Sequence, residues 1–374
     1  MRVNGLLPVK LSGHMLQRRV GWPKNLPSSV TVSVTNQCNS RCKTCFIWNL
    51  YREKPEAKET EFTTQEFEKT FASLGTGVVW VTFSGGEPFL RQDIVEICEA
   101  AEENCRPGII TIPTNCLLPQ VIVSRTRKML EKCAESTFVI NLSLDGVNEK
   151  HDEIRGIPGN WNRFLETFNQ LKNLKEEFPN LDLGVHSVVS KFSIDGLLDV
   201  YEYVKQLGPD SYITEMAERR TELFNCTKDI TPTYSAYSNF VNELSRRLRR
   251  DYLTSSNFMS KLTQSFRLMY YQIAAQVLRE KKQIIPCFAG VASCQITPYG
   301  DVWPCCILGY DKVMGNLRET NYDFAKIWKS PKSDAIRRYI AGKNCACPLA
   351  NAHYTNMLCS PLTIMKVVRN FISS

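Results

Sequence analysis

Cys38, Cys42 and Cys45 place three thiols within eight residues, with three and then two residues between them. They follow directly on a run of strand character, residues 30–35. Three cysteines so spaced can turn their sulfurs toward one point from a single loop. Thiolates are soft ligands, suited to an iron–sulfur cluster or to zinc. Three ligands on a cube of four irons leave one iron open for chemistry, whereas a structural zinc site is closed by a fourth ligand. The spacing by itself is compatible with a zinc loop completed by a distant residue. A second set of thiols stands toward the other end. Cys287 is followed after twelve residues by Gly300 and after four more by Cys305, and Cys345, Cys347 and Cys359 come later.

The elements that must position these residues alternate in type. Strand patterns fall at 30–35, 78–83, 109–114, 138–143, 183–189 and 211–216, with helical segments between most of them. The helix expected over 64–74 opens with a capping-box pattern, Thr63 to Glu66. Alternating β and α elements imply parallel strands joined by right-handed crossovers. Six such units make a partial (β/α)6 TIM-like barrel, whose chemistry gathers at the C-terminal ends of the strands. Residues 1–29 form a lead-in expected to lie across this barrel, which spans 30–218. Residues 219–283 form a helical extension rich in aromatics, with a basic run at Arg246-Arg247-Leu248-Arg249-Arg250. Core-facing apolar stripes and a solvated basic face explain that extension. The alternative is an insertion that lines a bulky-substrate pocket or touches an anionic partner. Residues 284–374 form a small C-terminal domain, with a β-hairpin expected over 293–306 and a Pro/Gly turn inside it.

The 374 residues, 43% apolar and 22% charged, can bury a large core. No apolar run reaches the roughly 18 residues that span a bilayer, and residues 1–10 lack the sustained apolar core of a signal peptide. The expected location is therefore the cytoplasm, where thiols stay reduced. Fifteen cysteines there point to metal binding rather than to disulfides. A net charge of +8 suits an anionic partner such as nucleic acid, a lipid surface or a reductant protein, and a solvated basic face accounts for it as well.

Further motifs sit at successive strand ends. Ser84-Gly85-Gly86-Glu87-Pro88 follows the second strand, Thr114-Asn115-Cys116 ends the third, and Ser143-Leu144-Asp145-Gly146 with His151-Asp152-Glu153-Ile154-Arg155-Gly156 follows the fourth. Each alone has an ordinary explanation, such as a Gly–Pro turn. In this order, together with CxxxCxxC, they closely resemble the radical S-adenosylmethionine (SAM) enzymes. The resemblance implies a [4Fe-4S] cluster on Cys38, Cys42 and Cys45 whose open iron chelates SAM. An electron from the cluster then cleaves SAM to a 5′-deoxyadenosyl radical that takes a hydrogen atom from substrate. The family commonly has an aromatic residue before its third cysteine, where this chain has Thr44, with Phe46 and Trp48 just beyond to shield the cluster. By the same resemblance, Gly85, Gly86 and Glu87 hold the SAM amino group, Asn115 points into the pocket, Ser143 contacts SAM and Arg155 grips its carboxylate. A planar guanidinium suits that last task because it binds a carboxylate bidentately. Asp145 is expected at the pocket mouth, and His151 as a structural hydrogen-bonding residue of its loop. One of His186 and Ser187 faces the lumen because strand side chains alternate; Ser187 is the candidate for the SAM ribose and Glu215-Met216 for the adenine.

The Cys287…Gly300…Cys305 spacing resembles the SPASM and twitch domains, which append auxiliary [4Fe-4S] clusters to radical SAM barrels. The longer cysteine set of a full SPASM domain is missing, which favours a twitch-like domain with one auxiliary cluster on Cys287, Cys305, Cys345 and Cys347, with Cys359 as the alternate. The function implied is an oxidation or bond-forming modification assisted by that cluster. The substrate is a peptide, a sugar or a lipid, and the reductant is a protein such as flavodoxin or ferredoxin. A second enzyme reading is a radical epimerase or carbon–carbon bond-forming enzyme in which a thiol such as Cys294 or Cys306 returns a hydrogen atom. A third, a metal-bearing RNA-binding protein, gives the Gly-Gly-Glu-Pro and Ser-Leu-Asp-Gly elements no purpose, and no stretch matches a named RNA-binding module.

Overall fold

The computed structural model describes residues 7–253 and 258–372; residues 1–6 of the expected lead-in and 254–257 of the expected extension lie outside the described residues. The strands are β1 (Ser29–Thr35), β2 (Trp80–Gly85), β3 (Ile109–Thr114), β4 (Thr137–Ser143), β5 (Leu181–Val189), β6 (Ser211–Met216), β7 (Ser293–Ile296), β8 (Asp301–Trp303) and β9 (Gly315–Asn316). They form one sheet in the order β6-β5-β4-β3-β2-β1-β7-β8-β9. β1 to β6 pair in parallel, as alternating β and α patterns dictate. Their side chains sort by the period of two. In β4, Phe138, Ile140 and Leu142 are fully buried, while Asn141 and Ser143 stand on the opposite, half-exposed face.

The helices in chain order are α1 (Leu7–Val20), α2 (Leu50–Glu53), α3 (Thr64–Leu74), α4 (Ile94–Cys105), α5 (Pro119–Lys132), α6 (Glu149–Arg155), α7 (Asn160–Glu177) and α8 (Leu197–Leu207). The extension supplies α9 (Tyr234–Leu248) and α10 (Phe258–Glu280). The C-terminal part adds α11 (Phe324–Trp328), α12 (Pro331–Ala341), α13 (Ala350–Leu358) and α14 (Pro361–Ile372).

The expected hairpin forms, but it does not stand apart. β7 pairs in parallel with β1, from Ser29 opposite Ser293 to Val32 opposite Ile296, and β8 and β9 follow antiparallel. The C-terminal strands therefore cover the barrel edge that β1 would otherwise expose. Residues 7–20 of the lead-in form the helix α1. α1 buries His14, whose Nε2 lies 2.8 Å from Ser28 Oγ, and packs Leu11 and Met15 against Phe288, Val291, Ala292 and Cys359. In the extension, Tyr237, Phe240, Tyr270 and Tyr271 are core residues. Arg246 and Arg247 bind Glu243, Arg247 also reaches Glu202, and Arg250 pairs with Asp251. The aromatic and basic pattern thus resolves into core stripes and a solvated, paired face.

The capping box of α3 also ties the barrel to the C-terminal part. Thr63 accepts from Glu66 N and Thr63 N donates to Glu66 Oε2. The same carboxylate accepts from Arg318 Nε (2.6 Å) and the Tyr322 hydroxyl (2.9 Å). Partial burial pushes the Glu66 carboxyl up, but Arg318, Thr63 and Tyr322 overcome this and hold it at about 2, below its ordinary 4.5. A carboxyl held low in the fold stabilises above its unfolded pKa and loses that contribution as the pH falls through the folded one. Glu66→Gln is expected to destabilise the protein by about 1 kcal/mol at neutral pH, a value discounted for solvent screening. Denaturant melts should show that difference shrinking as the pH falls below 4.5 toward 2; a difference independent of pH would assign it to the cap alone.

Candidate active site and metal centres

The loop carrying Cys38, Cys42 and Cys45 leaves β1 beside a register slip between Ser33 and Thr35 and is clamped from both sides by backbone bonds. On one side Gly86 N donates to Thr35 O (2.7 Å) and Glu87 N to Gln37 O (2.8 Å). On the other, Arg41 N donates to Arg155 O (3.0 Å) and Lys43 N to Ile154 O (2.9 Å). The Ser40 hydroxyl donates to Arg155 O as well (3.1 Å). Such approach leaves no room for side chains. A Cβ on Gly86 would stand 2.1 Å from Gln37 O, one on Gly85 2.0 Å from Thr35 O, and one on Gly156 2.3 Å from Arg41 O. The space that side chains would fill at these glycines is taken by the backbone of the cysteine loop itself.

Side chains complete the clamp. Glu87 is buried and accepts from Thr114 Oγ1 (3.0 Å), Phe89 N (3.3 Å) and Asn115 N (2.7 Å). Its carboxylate therefore joins the ends of β2 and β3, and burial pushes its pKa up to about 7 in spite of those bonds. Asn115 does not point into the pocket: its Nδ2 donates to Asn39 Oδ1 (2.8 Å) and approaches Cys38 Sγ (3.9 Å), so it braces the cysteine loop. Asp145 is likewise not at the mouth. It is buried, accepts from Val188 N (2.7 Å) and pairs with Arg155 Nη1 (3.1 Å). His151 Nδ1 accepts from Asp145 N (3.1 Å), a structural bond.

A lumen of about 270 Å³ opens beside Cys42 and Cys45, lined further by Asn141, Arg155, His186, Glu215, Glu218 and Arg220. Arg155 Nε, Asn141 Oδ1, His186 Nε2, Glu218 Oε2 and Arg220 Nε are buried there without hydrogen-bond partners. Ser143 stands on the lumen face of β4. Ser187 does not share that face: it is fully buried, donates to Leu144 O and accepts from the Tyr212 hydroxyl (3.1 Å). His186 takes the lumen position instead, which corrects the assignment of Ser187 to the ribose. Burial would lower the Arg155 pKa, but Cys42 and Asp145 more than reverse that, so its charge is secure.

The residues present fit the group the loop implies. Burial, then the neighbouring Cys42, raises the Cys38 thiol to about 12, and burial raises Cys45 further. Clustered thiols ionise together only against strong positive charge, which metal supplies. Among the described residues no three His, Cys, Asp or Glu side chains converge on a single ion. A cube that sets a different iron under each sulfur takes a wider spread than a one-zinc shell does. The unpartnered Nε of Arg155 supplies a donor for a carboxylate beside the loop.

Cys287, Cys305, Cys345 and Cys347 line one narrow cavity, with Leu308, Ile340 and Ala352 around them. Burial, then Cys287, pushes Cys305 up to about 12. Cys359 is not among them; it is buried with Phe288, Val291 and Ala292 beneath α1. Cys294 lies in the main core and Cys306 against Leu349 and Ala352, and neither lines the lumen. Between lumen and cysteine cavity sits a network of which the sequence points only to Glu215. Arg220 Nη2 holds Glu215 (2.8 Å), and Glu218 and Glu222 stand farther off at 4.0 and 3.7 Å. Gln295 on β7 donates to Glu222 (2.6 Å) and to Ser33 of β1 (3.1 Å). Burial pushes Glu218 up to about 8. The one signal available was position, at the C-terminal end of the sixth strand. A second missed group, Tyr299 in the β7–β8 turn, accepts from Asn36 Nδ2 (3.2 Å) and lies 3.1 Å from the Tyr51 hydroxyl, beside the start of the cysteine loop.

Residues 32–188 match the model of the radical SAM superfamily, and residues 287–348 match that of an iron–sulfur cluster-binding domain, SPASM. The chain is 23% identical over 82% of its length to an AdoMet-dependent heme synthase of Methanosarcina barkeri, covering 83% of that protein. It is 26% identical over 86% of its length to a PqqA peptide cyclase of Bradyrhizobium diazoefficiens, covering 78% of that one. In fold it is similar to Streptococcus suis SuiB bound to S-adenosylmethionine, with a TM-score of 0.59 at 18% identity, over 84% of this chain and 68% of that one.

Gly86→Ala is expected to cost about 1–3 kcal/mol, because the new methyl must push Gln37 and the cysteine loop away. The variant should retain less iron after anaerobic reconstitution. Gly196→Ala, where a Cβ meets nothing within 4 Å and φ is −103°, should retain all of it. Equal iron in both would mean that the loop does not depend on the clamp.

Proposed function

The chain is an enzyme built from a radical SAM domain followed by a SPASM iron–sulfur domain, and on that premise we propose how its residues hold the cofactors and divide the work. Cys38, Cys42 and Cys45 bind the [4Fe-4S] cluster of the barrel. Arg155 grips the SAM carboxylate through the Nε and Nη2 edge that Asp145 leaves free, and Ser143 faces SAM from β4. Glu87 and Asn115 are positioning residues: they fix the strand ends and the loop under Cys38. The bound cluster and SAM supply reductive cleavage of SAM and abstraction of a hydrogen atom from substrate. Cys287, Cys305, Cys345 and Cys347 bind the auxiliary [4Fe-4S] cluster, with Cys359 left out as a packed thiol.

The reaction class follows from the placement of these groups. Loss of a hydrogen atom and then an electron would oxidise the substrate or let it form a new bond, and a cluster held by Cys287, Cys305, Cys345 and Cys347 would supply the electron acceptor. The observation that carries this reading is a polar lumen against Cys42 and Cys45, lined also by Glu218 and Arg220, together with a second cavity lined by Cys287, Cys305, Cys345 and Cys347. A hydrogen-returning epimerase would need a thiol facing the lumen, and Cys294 and Cys306 stand away from it, which supports oxidation or bond formation. The substrate is a peptide, sugar or lipid, and the cyclase relative favours a peptide. A small acidic electron carrier, flavodoxin or ferredoxin, supplies the reducing electron in the cytoplasm, where the thiols stay reduced.

With dithionite under anaerobic conditions the reconstituted enzyme is expected to release 5′-deoxyadenosine. Unchanged release by Cys42→Ala would sink the assignment of the barrel cluster.

The wild type should carry about eight irons, the content of two [4Fe-4S] sites. Alanine at Cys38, Cys42 and Cys45 together should halve that and leave a cluster signal in electron paramagnetic resonance. Cys287→Ala with Cys305→Ala should lose the other half and keep 5′-deoxyadenosine release, provided circular dichroism and gel filtration show a folded chain. Loss of all iron in either variant refutes two independent sites.

A further inference from the structure

Ten large apolar side chains are exposed among the described residues, and seven of them belong to two terminal helices and one flank. Val9, Leu16 and Val20 stand on α1 with Trp22 just after it, and Leu362, Met365 and Val368 follow one another at three-residue steps on α14. Neither helix contains an Asp or a Glu. Arg19 on α1 and Lys366 and Arg369 on α14 are exposed beside the apolar positions. The start of α14 lies close to α1. Leu11 and Met15 of α1 pack on the buried cluster that holds Cys359, and Cys359 caps α13 two positions before Pro361 opens α14.

We propose that α1 and α14 form a docking surface for an anionic lipid bilayer. An apolar stripe flanked by cations and free of acids is suited to the headgroup layer, where the apolar side chains enter the acyl boundary and the cations meet lipid phosphates. Helices of fourteen and twelve residues lie in that plane and do not cross it, and no described helix is long and apolar enough to span a membrane. Charge decides against the chief competing occupant. A second copy of the chain docking here about a two-fold axis would bring this basic, acid-free face against itself, whereas an anionic bilayer carries the opposite charge. Ala350, Asn351 and Tyr354 of α13 line the lumen, so one helix joins the proposed surface to the site of chemistry.

The test is co-sedimentation of the reconstituted holoenzyme with phosphatidylcholine vesicles, with and without phosphatidylglycerol. Binding is expected to the mixed vesicles and to fall at least tenfold with Leu362→Gln, Met365→Gln and Val368→Gln combined. These side chains are exposed, so circular dichroism and 5′-deoxyadenosine release in solution should not change. Lys366→Gln with Arg369→Gln should weaken vesicle binding about fivefold for each cation removed. No binding to the mixed vesicles overturns the proposal. So does equal binding to neutral vesicles that the charge variant leaves unchanged. A dimer in gel filtration that the apolar variant dissociates, without any vesicle binding, assigns the face to a second copy instead.

Discussion

Thiols crowded on one short loop repel one another as soon as they ionise, and of the loop's own cations Arg41 is exposed to solvent and Lys43 is paired with Glu153. The rigidity comes from peptide groups. Four backbone bonds, two from the Gly86–Glu87 turn and two to the Ile154–Arg155 carbonyls, hold the loop as if it were a further pair of strands. Backbone can approach backbone this closely only where Cβ atoms are missing, so Gly85, Gly86 and Gly156 are conditions of the clamp. Glu87 and Asn115 then tie the clamp to β3. The lumen, the placement of Arg155 and the reach of the thiols all follow from that frame.

The second constraint is the continuity of the sheet. β7 adds to β1 in parallel register, and the Arg220 network links the end of β6 through Gln295 to Ser33 on β1. Glu66 reaches across to Arg318 and Tyr322, and Tyr299 touches the root of the cysteine loop. The barrel and the C-terminal part are thus stitched at the strand edge, at a helix cap and at the loop.

Much of this was legible in the sequence, and the failures share a cause. Six parallel strands, the α3 capping box and the thiol groups are local patterns, carried by period, spacing and short motifs. The motif residues were found, but what their side chains do was not. Glu87, Asn115 and Asp145 read as pocket residues, yet Glu87 and Asp145 spend polar atoms on neighbouring strands and Asn115 on the cysteine loop. Spacing cannot distinguish a side chain that meets a cofactor from one that braces the loop that does. Ser187 and His186 differ by a single strand position, and only the register against β4 and β6 decides which faces inward. The pairing of β7 with β1 joins residues some 260 positions apart and has no local signature.

That pairing also sets a ruler. Electron tunnelling between two centres falls off exponentially with their separation, so a donor and an acceptor joined by a flexible tether would exchange electrons at a rate averaged over every separation the tether allows. Here the loop after β1 and the loops around β7 and β8 spring from adjacent strands hydrogen-bonded in one register. A slip of one residue would change the spacing by about 3.3 Å and turn every side chain of β7 to the opposite face. The interval between the two cysteine groups is therefore quantised by the pleat of the sheet, and thermal motion can vary it only as far as the sheet itself can flex.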